Sequence, residues 1–138
     1  MKSQAAAALA GQRILVVEDA YWIAADVSRA LTRAGAEVIG PAGCIEQALD
    51  LLRDQTLDAA VLDIDLDGAT SFPLARELEQ RGVPVLFATA YDQAALPEPW
   101  QRDSNVTKPF SGASIVASLS RILLPDRVPD GQLPTEAS

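Results

Sequence analysis

The stretch Ala59-Ala60-Val61-Leu62-Asp63 is a short apolar run closed by a carboxylate. A continuous run of this length suits a strand buried on both faces, as in a parallel sheet. Aspartate disfavours strands, so Asp63 marks the point where the strand ends and the chain turns outward. Similar runs lie on either side: Ile14 to Val17, Val38 to Ile39, Val83 to Ala88, and a weaker one at Val106.

Helical periodicity fills the intervals. Ile23, Val27, Ala30, Leu31 and Ala34 share one helix face, and Gly35 follows as a stop. Ile45, Ala48, Leu49 and Leu52 repeat the pattern. A third helix is expected from about Ser71 to Arg81, with Pro73 in its first turn and Gly82 at its end. A last one carries Ile115, Val116, Leu119, Ile122 and Leu123, with Ser111 as its N-cap. Between Thr89 and Lys108, Pro97 and Pro99 leave room only for a short helix around Asp92 to Leu96. Strands and helices therefore alternate, five of each, which predicts a doubly wound α/β sheet with right-handed crossovers. Residues 13–124 form the domain, after an Ala-rich leader over 1–12 and before a Pro-rich tail over 125–138.

Bulk properties narrow the chemistry. The 138 residues suit one domain, and 49% hydrophobic residues suffice for a core. Eleven Lys and Arg against 19 Asp and Glu give a net charge of −8, which repels nucleic acid and anionic membranes. No apolar stretch approaches the roughly 20 residues of a membrane span. Histidine is absent, so Ser-His-Asp and Cys-His catalysis and imidazole–zinc sites are excluded within the chain. One cysteine, Cys44, allows no internal disulfide, and the expected compartment is cytoplasmic.

In an open parallel sheet, ligands bind beyond the carboxyl ends of the strands. The residues there are Glu18 and Asp19 after the first run, Asp63 and then Asp65 after the third, Thr89 after the fourth and Lys108-Pro109 after the fifth. If the first and third strands are neighbours, carboxylates crowd one small space, and a cation is needed to hold them. Oxygen-only ligands suit Mg²⁺ or Mn²⁺. A carboxylate beside such an ion can act as a nucleophile toward phosphorus, with Thr89 and Lys108 available to neutralise charge on the transferred group.

Taken in this order, these residues resemble the receiver domain of two-component response regulators, and the likeness spans Arg13 to Leu124. The resemblance implies a flavodoxin-like three-layer fold with sheet order 2-1-3-4-5. It implies that Asp63 is the phosphoacceptor, that Asp19 ligates the metal directly and Glu18 through water, and that Asp65 offers its backbone carbonyl. Thr89 and Lys108 would contact the phosphoryl oxygens, across a cis Lys108–Pro109 bond. The partner it implies is a sensor histidine kinase or a histidine phosphotransfer protein. The chain would catalyse only its own phosphorylation and dephosphorylation and signal through protein contacts, as a monomer or weak homodimer. Fourteen residues follow Leu124, too few for a helix-turn-helix domain, so a stand-alone regulator is expected. Phe87-Ala88-Thr89-Ala90-Tyr91 further resembles the "FAT GUY" single-domain receivers of alphaproteobacteria. One departure stands out: the aromatic that usually sits three residues before the strand-five lysine is Asn105 here, so output is expected through the Tyr91 to Asn105 segment.

Other readings compete residue by residue. Glu18 and Asp19 could merely favour a helix dipole, Thr89 could be a helix cap, and Lys108 could be surface charge. Phe87 and Tyr91 read first as core, Cys44 as a small residue with no role, and Trp22 and Trp100 as packing or interface residues. Two rival functions remain. Asp65-Leu66-Asp67-Gly68 echoes the nucleophile motif of haloacid-dehalogenase phosphatases, though no acidic pair follows Lys108 outside the tail. A pseudo-receiver would keep the fold and bind partners without phosphorylation.

Overall fold

Alternate side chains of β1 (Arg13–Val17) go to opposite faces of a sheet and seed two separate cores. A computed structural model describes residues 8–66, 68–89, 105–107 and 111–123. The sheet is completed by β2 (Glu37–Ala42), β3 (Ala59–Leu62), β6 (Val85–Thr89) and β7 (Asn105–Thr107), in the order β2-β1-β3-β6-β7. Every pairing within it is parallel. Counted along these five strands the order is 2-1-3-4-5, as expected. Two further strands among the described residues, β4 (Asp65–Leu66) and β5 (Ala69–Thr70), form a separate antiparallel hairpin.

Among the described residues the helices are α1 (Tyr21–Arg33), α2 (Ile45–Asp54), α3 (Phe72–Gln80) and α4 (Gly112–Leu123). Ile14 and Val16 pack with Val27 and Leu31 of α1 and Ile115 and Leu119 of α4. Leu15 and Val17 pack with Leu52 of α2 and Leu74 and Leu78 of α3 on the other face. Three layers result, because continuous apolar strands have two faces to cover. Phe87 is fully buried and meets the partly buried Phe72 edge-on, with ring centroids 5.7 Å apart.

Helix ends follow the predicted signals. Gly35, at φ +95, closes α1 in a Schellman motif: its N–H donates to Thr32 and that of Ala36 to Leu31. At the end of α3, the Gly82 N–H donates to Glu79 and the Val83 N–H to Leu78. Ser111 Oγ accepts the Ser114 N–H at 3.1 Å, the cap expected for the last helix.

Three features extend or depart from the sequence reading. Leu9 is fully buried, and its N–H bonds the Ala34 carbonyl, so the chain just before β1 contributes to the core. The β4–β5 hairpin interrupts the strict alternation of strands and helices. β2 runs well past Ile39 and contains Pro41, which an edge strand tolerates. The short helix expected around Asp92 to Leu96 and the Lys108–Pro109 bond lie outside the described residues. Among the described residues no helix is long and apolar enough to cross a membrane.

Candidate functional site

Hydrogen bonding continues beyond the carboxyl ends of the central strands and aligns their next residues. The Asp63 N–H donates to the Val17 carbonyl at 3.0 Å, and the Glu18 N–H to the Ala42 carbonyl at 2.9 Å. Glu18 and Asp63 are thereby fixed at one end of adjacent strands. The chain passes from β1 to β2 on one side and returns to β3 on the other, so this is the switch point where an open α/β sheet leaves a crevice.

Carboxylate oxygens of Glu18, Asp19 and Asp63 all lie within 4.8 Å of one another. Glu18 is 6% exposed and Asp63 9%, whereas Asp19 faces solvent. Glu18 Oε2 also accepts the Ala20 N–H at 3.1 Å, just ahead of α1. That bond stops at the residue before α1, whose first turn holds no acidic residue and whose N-cap makes no side-chain bond. Two carboxylates held as closely as Glu18 and Asp63 repel by about 3 kcal/mol at an effective dielectric near ~20. Burial keeps water from screening that repulsion fully. A hard divalent cation takes oxygen ligands at this scale and removes the penalty, so the donor set fits Mg²⁺ or Mn²⁺. Asp19 leaves the cluster open to solvent on one side.

The remaining predicted residues are placed as follows. Asp65 opens β4 with its side chain exposed, two positions past Asp63. Thr89 ends β6, in register with Thr107 at the end of β7; the Thr89 side chain is outside the described residues. Lys108 follows Thr107 in sequence and is also outside them. Asn105 aligns with Phe87 across the β6–β7 pair.

Two features escaped the sequence reading. The first is a hairpin: Gly68, at φ +88, precedes Ala69, which pairs with Leu66 in the β4–β5 ladder. That hairpin gives a structural reason for Asp65, Leu66 and Gly68 within the stretch that echoed a phosphatase motif. The second is Ser71, which is fully buried at the N-terminus of α3. Its Oγ does not cap the helix but donates to the Asp63 carbonyl at 2.6 Å, while its N–H donates to the Ile64 carbonyl at 2.7 Å. A serine beside Pro73 signals a helix start, but nothing in sequence indicates where its hydroxyl goes.

On the surface beside the cluster, Tyr21 and Trp22 begin α1 with 83% and 70% of their surfaces exposed. Trp22 is therefore not a packing residue of this fold.

Fold and site define a class: a flavodoxin-like α/β domain with carboxylates gathered at its switch point. The chain belongs to the response regulator receiver domain family, whose model matches residues 14–120, and it is thus a receiver domain of two-component signalling. It is 36% identical over 114 residues to the sensory transduction protein LytT of Bacillus subtilis, covering 79% of this chain and 47% of that protein. Among solved structures it is similar to the response regulator PhyR of Brucella abortus, with a TM-score of 0.75 and 30% identity, over 86% of this chain and 50% of that one. It is also similar to SdrG of Sphingomonas melonis Fr1, with a TM-score of 0.70 and 31% identity, over 85% of this chain and 98% of that one. The chain spans about half the length of LytT.

Proposed function

We propose that this receiver accepts a phosphoryl group on Asp63 from a phosphohistidine donor, a sensor histidine kinase or a phosphotransfer protein. The observation that carries the reading is the convergence of Glu18, Asp19 and Asp63 within 4.8 Å at the switch point. An Asp63 carboxylate oxygen attacks phosphorus, the P–N bond of phosphohistidine breaks, and the donor imidazole leaves with the electron pair. The product on this chain is an acyl phosphate, later lost to water. Glu18, Asp19, Asp63 and the Asp65 carbonyl are the residues assigned to hold Mg²⁺ or Mn²⁺. When bound, such an ion supplies charge neutralisation at the phosphoryl oxygens. Thr89 and Lys108 are assigned to those same oxygens as hydroxyl donor and point charge.

The protein turns over no external substrate; its output is contact with another protein. Exposed Tyr21 and Trp22, next to the acidic cluster, are the aromatic anchors against which the donor docks. We assign this chemistry to the cytoplasm, a reading supported by the lone Cys44. Phe87-Ala88-Thr89-Ala90-Tyr91 supports membership of the "FAT GUY" receivers. A second reading, a pseudo-receiver that signals without phosphorylation, is favoured by Asn105 opposite Phe87, where no aromatic is available to report the state of the site.

The experiment is transfer from a phosphorylated histidine kinase with Mg²⁺, read on a phosphate-affinity gel beside Asp63→Asn. A retarded band in the natural protein and none in the variant supports the phosphoacceptor reading. Two unshifted proteins, given a donor that phosphorylates a control receiver, support the pseudo-receiver. Continuous release of phosphate from a phosphomonoester would instead indicate a phosphatase.

A further inference from the structure

We infer that Ser71 is a positioning residue for Asp63, and that its hydroxyl sets how well the acidic cluster binds its cation and accepts phosphate. The inference rests on the phosphoacceptor reading above and extends it to a residue outside the cluster.

A serine at a helix N-terminus ordinarily accepts an N–H from the first turn. Ser71 occupies that position before α3 but makes no such side-chain bond. Its hydroxyl points back along the chain to the Asp63 carbonyl, 2.6 Å away. A carbonyl only accepts, so the hydroxyl is the donor. The next carbonyl, that of Ile64, takes the Ser71 N–H at 2.7 Å. One fully buried residue thus holds two consecutive carbonyls of the segment that carries the phosphoacceptor.

Geometry gives this grip its consequence. The Asp63 N–H is already held by Val17, so its peptide is fixed on the amino side. Ser71 fixes the carbonyl side, and together they restrict the backbone rotations that aim the Asp63 side chain at Glu18 and Asp19. Ile64, held by the second bond, is itself buried in the core. The hairpin of β4 and β5 returns the chain so that Ser71 arrives beside the residue eight positions earlier. Asp65, whose carbonyl is assigned to the cation, stands inside the loop that Ser71 closes. Partners that orient ligands in this way typically change metal affinity or activity by about 10- to 100-fold when removed.

The test compares Ser71→Ala, Ser71→Thr and, as control, Ser118→Ala, which removes a buried hydroxyl from α4 on the other face of the sheet. Three quantities are measured: unfolding by urea, Mn²⁺ affinity from paramagnetic quenching of the protein's tryptophan fluorescence, and the rate of adduct formation with acetyl phosphate and Mg²⁺. The expected result is that Ser71→Ala loses about tenfold in both Mn²⁺ affinity and adduct rate. Ser71→Thr recovers most of that loss despite its extra methyl, and Ser118→Ala changes neither quantity. If the natural protein forms the adduct at Asp63 and Ser71→Ala stays within about twofold in affinity and rate, the inference fails while the phosphoacceptor reading stands. Equal losses in Ser71→Ala and Ser71→Thr, tracking their loss of stability, also overturn it in favour of packing. If the natural protein forms no adduct with a competent donor, the phosphoacceptor reading fails and the inference fails with it.

Discussion

Arg13, at the amino end of the sheet, donates to Glu37 Oε1 at 2.8 Å, to the Thr56 carbonyl at 2.7 Å and to Gln55 Oε1, and its backbone N–H reaches Asp58 Oδ2 at 2.8 Å. At the carboxyl end of the same strand, Glu18, Asp19 and Asp63 bring like charges within 4.8 Å of one another. One end matches charge with countercharge and ties β1, β2 and the β3 entry together. The other, among the described residues, gathers three carboxylates, two of them buried. Opposite charges attract in the first arrangement, and like charges set side by side repel in the second. The acidic end is therefore the one whose donor set suits a cation, and the matched end is scaffold.

Mutations at the two ends should separate accordingly. The largest expected effect is from the cation itself: at about 100 times its dissociation constant, Mg²⁺ should add about 2.7 kcal/mol to unfolding, read by urea titration. Asp19→Asn should remove most of that gain while leaving the metal-free protein as stable or slightly more so, since a like charge is lost. A metal-free Asp19→Asn protein that is clearly weakened would break the contrast between the ends. Next comes Arg13→Ala, which should cost about 1–2 kcal/mol by removing three bonds from a partly exposed guanidinium, with no change in adduct formation. Loss of phosphoryl acceptance in a folded Arg13→Ala protein would show that the ends are coupled. Smallest in stability is Trp22→Ala, expected within about 0.5 kcal/mol. It should slow transfer from a kinase and leave the rate with acetyl phosphate unchanged, because only the protein donor needs a docking face.

The same contrast governs what could be read from sequence. Apolar runs closed by acids, as at Val17-Glu18-Asp19 and Leu62-Asp63, state strand, strand end and chemistry in one line of residues. Strand order brought them together, and it came from family likeness, because periodicity does not say which strands are neighbours. Ser111 and Gly35 were legible as helix boundaries, since caps are local. The β4–β5 hairpin was less so: Asp67-Gly68 is a turn signal, but the flanking strands are two residues each, too short to show alternation. Ser71 was legible as a helix start and illegible as the partner of Asp63, because that contact exists only after the hairpin folds back. Exposure of Tyr21 and Trp22 was equally hidden: a helix pattern ranks faces, and only packing shows that these two rings stay outside.

The most direct test locates the phosphoryl group. The protein is incubated with a phosphohistidine donor and Mg²⁺, the acyl phosphate is trapped by borohydride reduction, and the reduced residue is found by tandem mass spectrometry. A reduced side chain at Asp63, absent when the cation is chelated, is the result predicted here. Reduction at Glu18, Asp19 or Asp65 instead, or an equal yield at Asp63 without cation, would contradict the assignment of the carboxyl end as a cation-assisted phosphoacceptor site.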